Sequence, residues 1–273
     1  MLTVISAGLA TTIQDQGRPG WAHIGVSRSG AVDLRMVAAL NRLVGNSSTA
    51  AVIETVGGLS IRADRPLVVA TDLAPFPSQM REGDVIEVPV GGRHWHYVAV
   101  RGGIDTDLVL GSRSTDTLSG LGGPTVIDGT RLAVGRGPVE PIIADVAPVS
   151  QSAEPIGWTW GPRAEWCGSG WPGSSWTVSD TSRVGVRLAG RPIERIRDDE
   201  LPSEGLVRGA VQVPPDGQPV MMLADHPTTG GYPVIAVIDP VDVARLAHTA
   251  PGGRVRIARQ VSPSPWNSAR STP

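Results

Sequence analysis

From Ser203 to Pro233 the chain reads SEGLVRGAVQVPPDGQPVMMLADHPTTGGYP, and its end gathers Asp225, His226, Thr228, Thr229, Gly230, Gly231 and Tyr232 into one short run. An aspartate beside an imidazole can move protons, hydroxyls can hold a substrate, and paired glycines let backbone approach a ligand. The competing reading is a polar turn that only reverses the chain. Two apolar runs, Ala210 to Val213 and Pro219 to Ala224, flank Pro214-Pro215-Asp216-Gly217. Prolines fix φ and glycine permits φ > 0, so the spacing predicts a β-hairpin or tight strand corner. The polar run then sits at a strand end, where binding and catalytic loops are commonly held.

Three further places carry usable chemistry. Gln14, Asp15 and Arg18 lie around Gly17 and Gly20. A guanidinium fork there could bind carboxylate or phosphate, with the aspartate orienting it or acting as a base. Alternatively, an Asp–Arg pair staples an N-terminal loop. Ser29 and Asp33 precede a helical pattern and suit a helix cap; exposed N–H groups at that helix start could instead hold an anion. Arg113, Ser114 and Asp116 suit oxyanion binding, or Arg113 and Asp116 could pair within a structural loop. His94 and His96 share a strand face, as metal ligands can, but no third ligand stands at a recognisable spacing. They read as structural, and no metal is expected.

Composition closes several function classes. All 24 basic residues are arginine. Without lysine there is no biotin attachment point, P-loop lysine or Schiff-base amine. A net charge of -2 supplies no electrostatic reason for a nucleic-acid or membrane partner. No apolar run approaches the ~20 residues a helical span requires, and no basic stretch precedes the first apolar residues as in a signal peptide. Cys167, the single cysteine, rules out an internal disulfide and fits a cytoplasmic setting. No G-x-S-x-G elbow is present, and Gly120-Leu121-Gly122-Gly123 follows no strand-to-helix switch of the dinucleotide-binding type.

The elements that must position these groups are mostly strands. Leu67 to Ala70, Val85 to Val90, Trp95 to Val100, Ala210 to Val213, Val220 to Leu223, Val234 to Ile238 and Arg254 to Ile257 are apolar or alternating, with Gly, Pro and Asp at their ends. Val32 to Val44 reads as an amphipathic helix ending at Gly45-Asn46, and a second helix starts at Asp239-Pro240. The predicted class is mainly β, with two barrel-like units and two short helices. The Pro-, Ala- and Ser-rich segment from Gly135 to Pro155 reads as a linker between units at 1–140 and 155–273. An internal echo agrees with two halves: Glu54, Gly57, Pro66 and Asp72 recur as Glu204, Gly209, Pro219 and Asp225.

Several segments, taken in order, resemble one family. They are Thr12-Ile13-Gln14-Asp15 with Gly17-Arg18; Ser29-Gly30-Ala31 with Asp33; Leu110 to Asp116; Gly161-Pro162-Arg163; Ser203-Glu204-Gly205; and the Thr228-to-Pro233 run. These are similar to the KipA-like proteins: the C-type chain of bacterial 5-oxoprolinase, allophanate hydrolase subunit 2, and the second half of the urea carboxylase carboxyltransferase region. The resemblance implies a cyclophilin-like β-barrel fold and a KipI-like partner chain (the B-type chain of 5-oxoprolinase or allophanate hydrolase subunit 1). It implies a LamB/YcsF-like chain, the A-type component of 5-oxoprolinase, as a further partner, and a small amide as substrate. In the 5-oxoprolinase version ATP is a substrate of the complex and the cyclic amide opens to glutamate. In the carboxyltransferase version biotin arrives on another protein and a urea-like amide is carboxylated. A third possibility is a non-catalytic Kip-antagonist that binds a KipI-like kinase inhibitor. The expected site has Asp225, His226, Glu204 and Asp33 as catalytic groups. Gln14, Asp15, Arg18, Ser29, Arg113, Ser114, Thr228, Thr229, Gly230, Gly231 and Tyr232 would hold substrate. Arg18→Ala and Asp225→Ala are then expected to lower activity without unfolding the chain. Two departures stand out: the segment after Asp72 is short, and Val234 occupies a position where the family commonly has lysine.

Overall fold

The computed structural model describes residues 1–123, 125–136, 140–142, 155–168, 170–197 and 199–260. The chain forms two compact units, Met1–Gln151 and Ser152–Pro273. Most of the Pro-rich segment read as a linker lies outside the described residues; Gly135, at its start, donates to the Gly103 carbonyl at 2.9 Å.

Among the described residues the first unit contains ten strands: β1 (Leu2–Ser6), β2 (Thr12–Gln14), β3 (Val52–Thr55), β4 (Leu59–Ala63), β5 (Leu67–Thr71), β6 (Ser78–Met80), β7 (Val85–Val88), β8 (His96–Val100), β9 (Ile104–Asp105) and β10 (Arg131–Val134). They form two five-stranded sheets, ordered β7-β4-β1-β10-β9 and β2-β3-β8-β5-β6. Inward positions alternate with outward ones, as in β4, where Leu59, Ile61 and Ala63 are buried and Arg62 is exposed. Leu2, Val4 and Ile61 from one sheet join Ile53, Val69 and Val98 from the other in a single apolar core. All five residues of β8 are buried because helix α1 (Leu34–Leu43) packs against this strand. Helix α1 begins where Asp33 accepts from Met36 N at 2.9 Å, a cap that contributes about 1 kcal/mol.

The second unit holds β11 (Ile156–Trp160), β12 (Ser175–Thr181), β13 (Gly185–Ala189), β14 (Glu204–Gly205), β15 (Ala210–Gln212), β16 (Val220–Met222), β17 (Thr229–Gly230), β18 (Val234–Ile238) and β19 (Arg254–Gln260). Seven of them close a barrel in the order β11-β18-β15-β16-β13-β12-β19. Closure removes the unpaired edges that an open sheet would present. The seam is the parallel pair β11–β19, with Ile156 opposite Ile257. Trp158, Trp171 and Trp176 are buried, and the rings of Trp158 and Trp171 meet edge to face at 6.3 Å. Helix α2 (Pro240–Ala247) starts at the expected Asp239-Pro240 cap, with Asp239 accepting from Val241 N at 3.0 Å.

The mainly β, barrel-type architecture with two short helices is therefore what the described residues form. The predicted hairpin is β15–β16, joined across Pro214–Gly217. There Gly217 adopts φ 72°, and a Cβ would lie 2.8 Å from the Ile193 carbonyl oxygen.

Candidate functional site

In the first unit, three of the motif segments interlock through a buried carboxylate. Asp15 Oδ1 accepts from Ser112 Oγ and Ser114 Oγ, each at 2.6 Å, and from Gly17 N at 2.8 Å. Its Oδ2 accepts from Arg113 N at 2.7 Å. Arg18 is only 1% exposed and donates to the carbonyls of Ser114 and Val109. Gln14 Nε2 reaches the Thr115 carbonyl at 2.8 Å, and Ser29 Oγ reaches the same oxygen at 3.4 Å. The glycines here are obligatory: a Cβ on Gly122, at φ 91°, would lie 2.0 Å from the Ser114 oxygen.

This arrangement revises the readings of several single residues. Asp15 serves as an acceptor for serines and backbone rather than for an Asp–Arg staple. Asp116 takes Ser27 Oγ at 2.9 Å and Ser119 Oγ at 2.6 Å, whereas Arg113 turns to Asp105 at 2.9 Å. The capping reading of the helix start is the one the hydrogen bonds favour, because three N–H groups there are already taken by side chains. Val32 N donates to Glu54, Asp33 N to the Tyr97 hydroxyl, and Met36 N to Asp33. Asp33 also pairs with Arg93 at 3.3 Å. His96 is buried against Asp72 Oδ2 at 2.9 Å and the Gly91 carbonyl at 3.2 Å. Burial alone would lower its pKa, but the Asp72 hydrogen bond and charge, with Gly91, bring the net shift upward. No cluster of three potential metal-ligating side chains occurs among the described residues.

In the second unit the other motif segments meet around a half-exposed ion pair. Gly161 N and Arg163 N bond the carbonyls of Ile235 and Val234, which ties the Gly161-Pro162-Arg163 turn to β18. A Cβ on Gly161 would meet the Val234 oxygen at 2.4 Å, so only glycine permits this approach. The turn directs Arg163 to Glu204, whose two carboxylate oxygens receive Arg163 Nε at 3.1 Å each, while Oε1 also accepts from Nη2. Their side chains are 34% and 29% exposed. The hydrogen bond from Arg163 lowers the Glu204 pKa, and the same contact raises that of Arg163. Both groups stay charged at neutral pH. Arg163 Nη1 makes no hydrogen bond among the described residues, so the fork retains donors for a carboxylate or carbonyl oxygen.

Strand β14 pairs with β17, placing Glu204 opposite Gly230 and Gly205 opposite Thr229. Paired residues share a face, so Glu204 lies beside the bare Gly230 backbone while Thr229 points to the other side. Gln212 buttresses the loop by donating to the Tyr232 carbonyl at 3.0 Å, and Thr229, Gly231 and Tyr232 are exposed.

Asp225 and His226 are placed differently. Asp225 is 0% exposed and receives Arg183 Nε at 2.8 Å and Nη2 at 2.9 Å. His226 is 7% exposed with Nδ1 at 2.7 Å from the Pro227 carbonyl. The internal echo acquires a physical meaning here: Asp72 and Asp225 each follow a strand, and each is buried against a basic side chain from a neighbouring segment. Asp225 is thus built into the fold, while Glu204 and the exposed loop remain accessible. Sequence reasoning does not single out Arg163 or Arg183 as site residues. Arg163 carries a signal, since it stands in a motif segment; nothing in the sequence around Arg183 marks it. Val234 is buried in an apolar cluster with Leu206, Ala210 and Met222, so burying a lysine ammonium among them would be costly.

The chain resembles proteins of known kind over most of its length. It is 34% identical to the C-type chain of 5-oxoprolinase from Escherichia coli K12, covering 90% of this chain and 87% of that one. It is 28% identical to the urea amidolyase of Lachancea kluyveri, covering 96% of this chain but only 17% of that much longer protein. The crystal structure of the Kluyveromyces lactis urea carboxylase superposes with a TM-score of 0.85 at 25% identity, covering 94% of this chain and 27% of that one. The model of the carboxyltransferase domain, subdomain A and B, matches residues 24–259. With that match across most of both units, the chain belongs to the carboxyltransferase domain, subdomain A and B, family.

Proposed function

We propose that this chain is the C-type component of a cytoplasmic 5-oxoprolinase-like complex that couples ATP consumption to opening of 5-oxoproline into glutamate. The observation that carries the reading is similarity to the C-type chain of a 5-oxoprolinase across nine-tenths of this chain, with nearly the whole relative covered in return. A KipI-like chain completes the catalytic unit, and a LamB/YcsF-like chain is a third component.

Within this chain, Arg163 is the group suited to the substrate carboxylate. Its guanidinium is held by Glu204, and its outer N–H groups face away from that pair. Glu204 acts as a positioning group, because its lowered pKa keeps it ionised and unsuited to donate a proton at neutral pH. The Arg163 rim does not fit a nucleotide triphosphate: it offers one guanidinium, already matched by a carboxylate. Contact with ATP is therefore assigned to another chain.

The second reading is carboxyl transfer to a urea-like amide. It is favoured by the family match and by similarity to urea amidolyase. Biotin would then be attached to another protein, since this chain has no lysine.

The two readings separate when the chain, purified together with a KipI-like partner chain, is given either substrate set. Glutamate release from 5-oxoproline and ATP supports the first. Carboxylation of urea with a biotinylated carrier, and no glutamate release, overturns it.

A further inference from the structure

A cleft of about 520 Å³ opens on the first unit, and its charged lining residues are Arg65, Arg101 and Arg136, with no aspartate or glutamate. In a chain of net charge -2 this is a local excess of cation. The floor comes from the β5–β6 pair, whose register sets Leu67 against Met80 and Val68 against Gln79. Arg101 continues from β8 beside that pair, its backbone N–H donating to the Val68 carbonyl at 2.8 Å. Arg136 arrives from β10 in the other sheet. The two sides close at a glycine contact: a Cβ on Gly102, at φ 98°, would stand 2.2 Å from the Gly135 oxygen. Only a residue without a side chain allows Arg101 and Arg136 to leave this junction on one cleft.

The three guanidinium groups are differently held. Arg101 Nη1 is anchored on the carbonyls of Val44 at 2.9 Å and Glu140 at 3.0 Å, which fixes the group while the rest of its fork keeps its donors. Arg65 and Arg136 are exposed and form no ion pair among the described residues. Three positive charges around one cleft repel each other unless an anion lies between them. Arginine forks bind the oxygens of phosphate and carboxylate groups in a planar, bidentate manner. Met80 and Leu67 add an apolar floor, and Gln79 a neutral donor and acceptor. From this arrangement we propose that the cleft is a binding site for a small multivalent oxyanion. Its chemistry is that shared by pyrophosphate-type and tricarboxylate-type ligands. This site is independent of the amide chemistry assigned to the second unit.

The test is isothermal titration of the full chain with sodium pyrophosphate and, separately, with citrate, at low and at 0.3 M salt. One or both anions should bind with a stoichiometry near one, and the salt should weaken binding severalfold. Arg65→Gln and Arg136→Gln should each reduce affinity roughly tenfold, as loss of one charge-assisted pair implies. Arg187→Gln, which removes an exposed arginine of the second unit, should leave binding unchanged. Binding of pyrophosphate alone assigns a phosphate ligand, and binding of citrate alone a carboxylate. Both cleft residues are exposed, so the variants should keep the wild-type unfolding temperature. Failure of both anions to bind at 10 mM, or equal binding by both cleft variants and the wild type, overturns the site.

Discussion

Replacing Asp225 with alanine is expected to destabilise the second unit by about 3–5 kcal/mol, the cost of removing one partner from a buried ion pair. The geometry warrants the full range. Arg183 Nε and Nη2 reach the two carboxylate oxygens at 2.8 and 2.9 Å, and the two side chains are 2% and 0% exposed. The backbone is coupled to the same contact, because Asp225 N donates to the Arg183 carbonyl at 2.9 Å. Without the carboxylate, the buried guanidinium loses its ion-pair partner. For a unit of this size the unfolding temperature should fall by roughly 10–20 °C. The expectation that Asp225→Ala spares the fold is thereby replaced. The informative comparison is the double variant Arg183→Met/Asp225→Leu, which removes both charges and should recover most of the loss. Calorimetry of the single and double variants gives the cycle. A single variant within about 1 kcal/mol of wild type, or a double variant no better than the single, would refute the reasoning.

Three further outcomes follow from local geometry. The raised His96 pKa makes its stabilising contribution complete below the unfolded-state value of about 6.5 and lost as pH rises through the folded value. Wild type should therefore lose stability relative to His96→Gln on going from pH 6 to pH 8, and parallel pH profiles would contradict this. Burial pushes the Cys167 thiol up to about 11, with Arg195 offsetting part of the shift, so at pH 8 it should react a few hundred-fold more slowly than an ordinary thiol until denaturant is added. Rapid stoichiometric labelling of the native chain would count against that burial. Gly161→Ala should cost about 1–3 kcal/mol, because the new methyl meets the Val234 carbonyl at 2.4 Å and the turn carrying Arg163 must move. A variant with unchanged denaturation midpoint would show that the turn is not held as described.

The longer elements are legible in the sequence because burial leaves a period. Val234–Ile238 is readable with its observed bounds, and the Asp239-Pro240 start of α2 follows from cap chemistry. The two-residue strands β9, β14 and β17 carry no period and escape notice. The first four strands in chain order are also absent from the sequence reading, although Leu2–Ser6 and Leu59–Ala63 do alternate in burial. For the site, residue type is readable but burial is not. Asp15, Arg18 and Asp225 have the composition of a binding site and the surroundings of a structural knot. Arg163 and Glu204 lie 41 positions apart, and only the β14–β17 flap and the turn on β18 bring them together.

The central claim is that this chain contributes Arg163 to an amide-processing site that is complete only with a partner chain. Glutamate release from 5-oxoproline and ATP should be measured for the chain alone, for its complex with the KipI-like partner, and for the complex carrying Arg163→Gln. The expected result is no turnover by the isolated chain, turnover by the complex, and a KM for 5-oxoproline raised about tenfold by the variant, with kcat changed less. Full turnover by the isolated chain, or an unchanged KM in the Arg163→Gln complex, would contradict it.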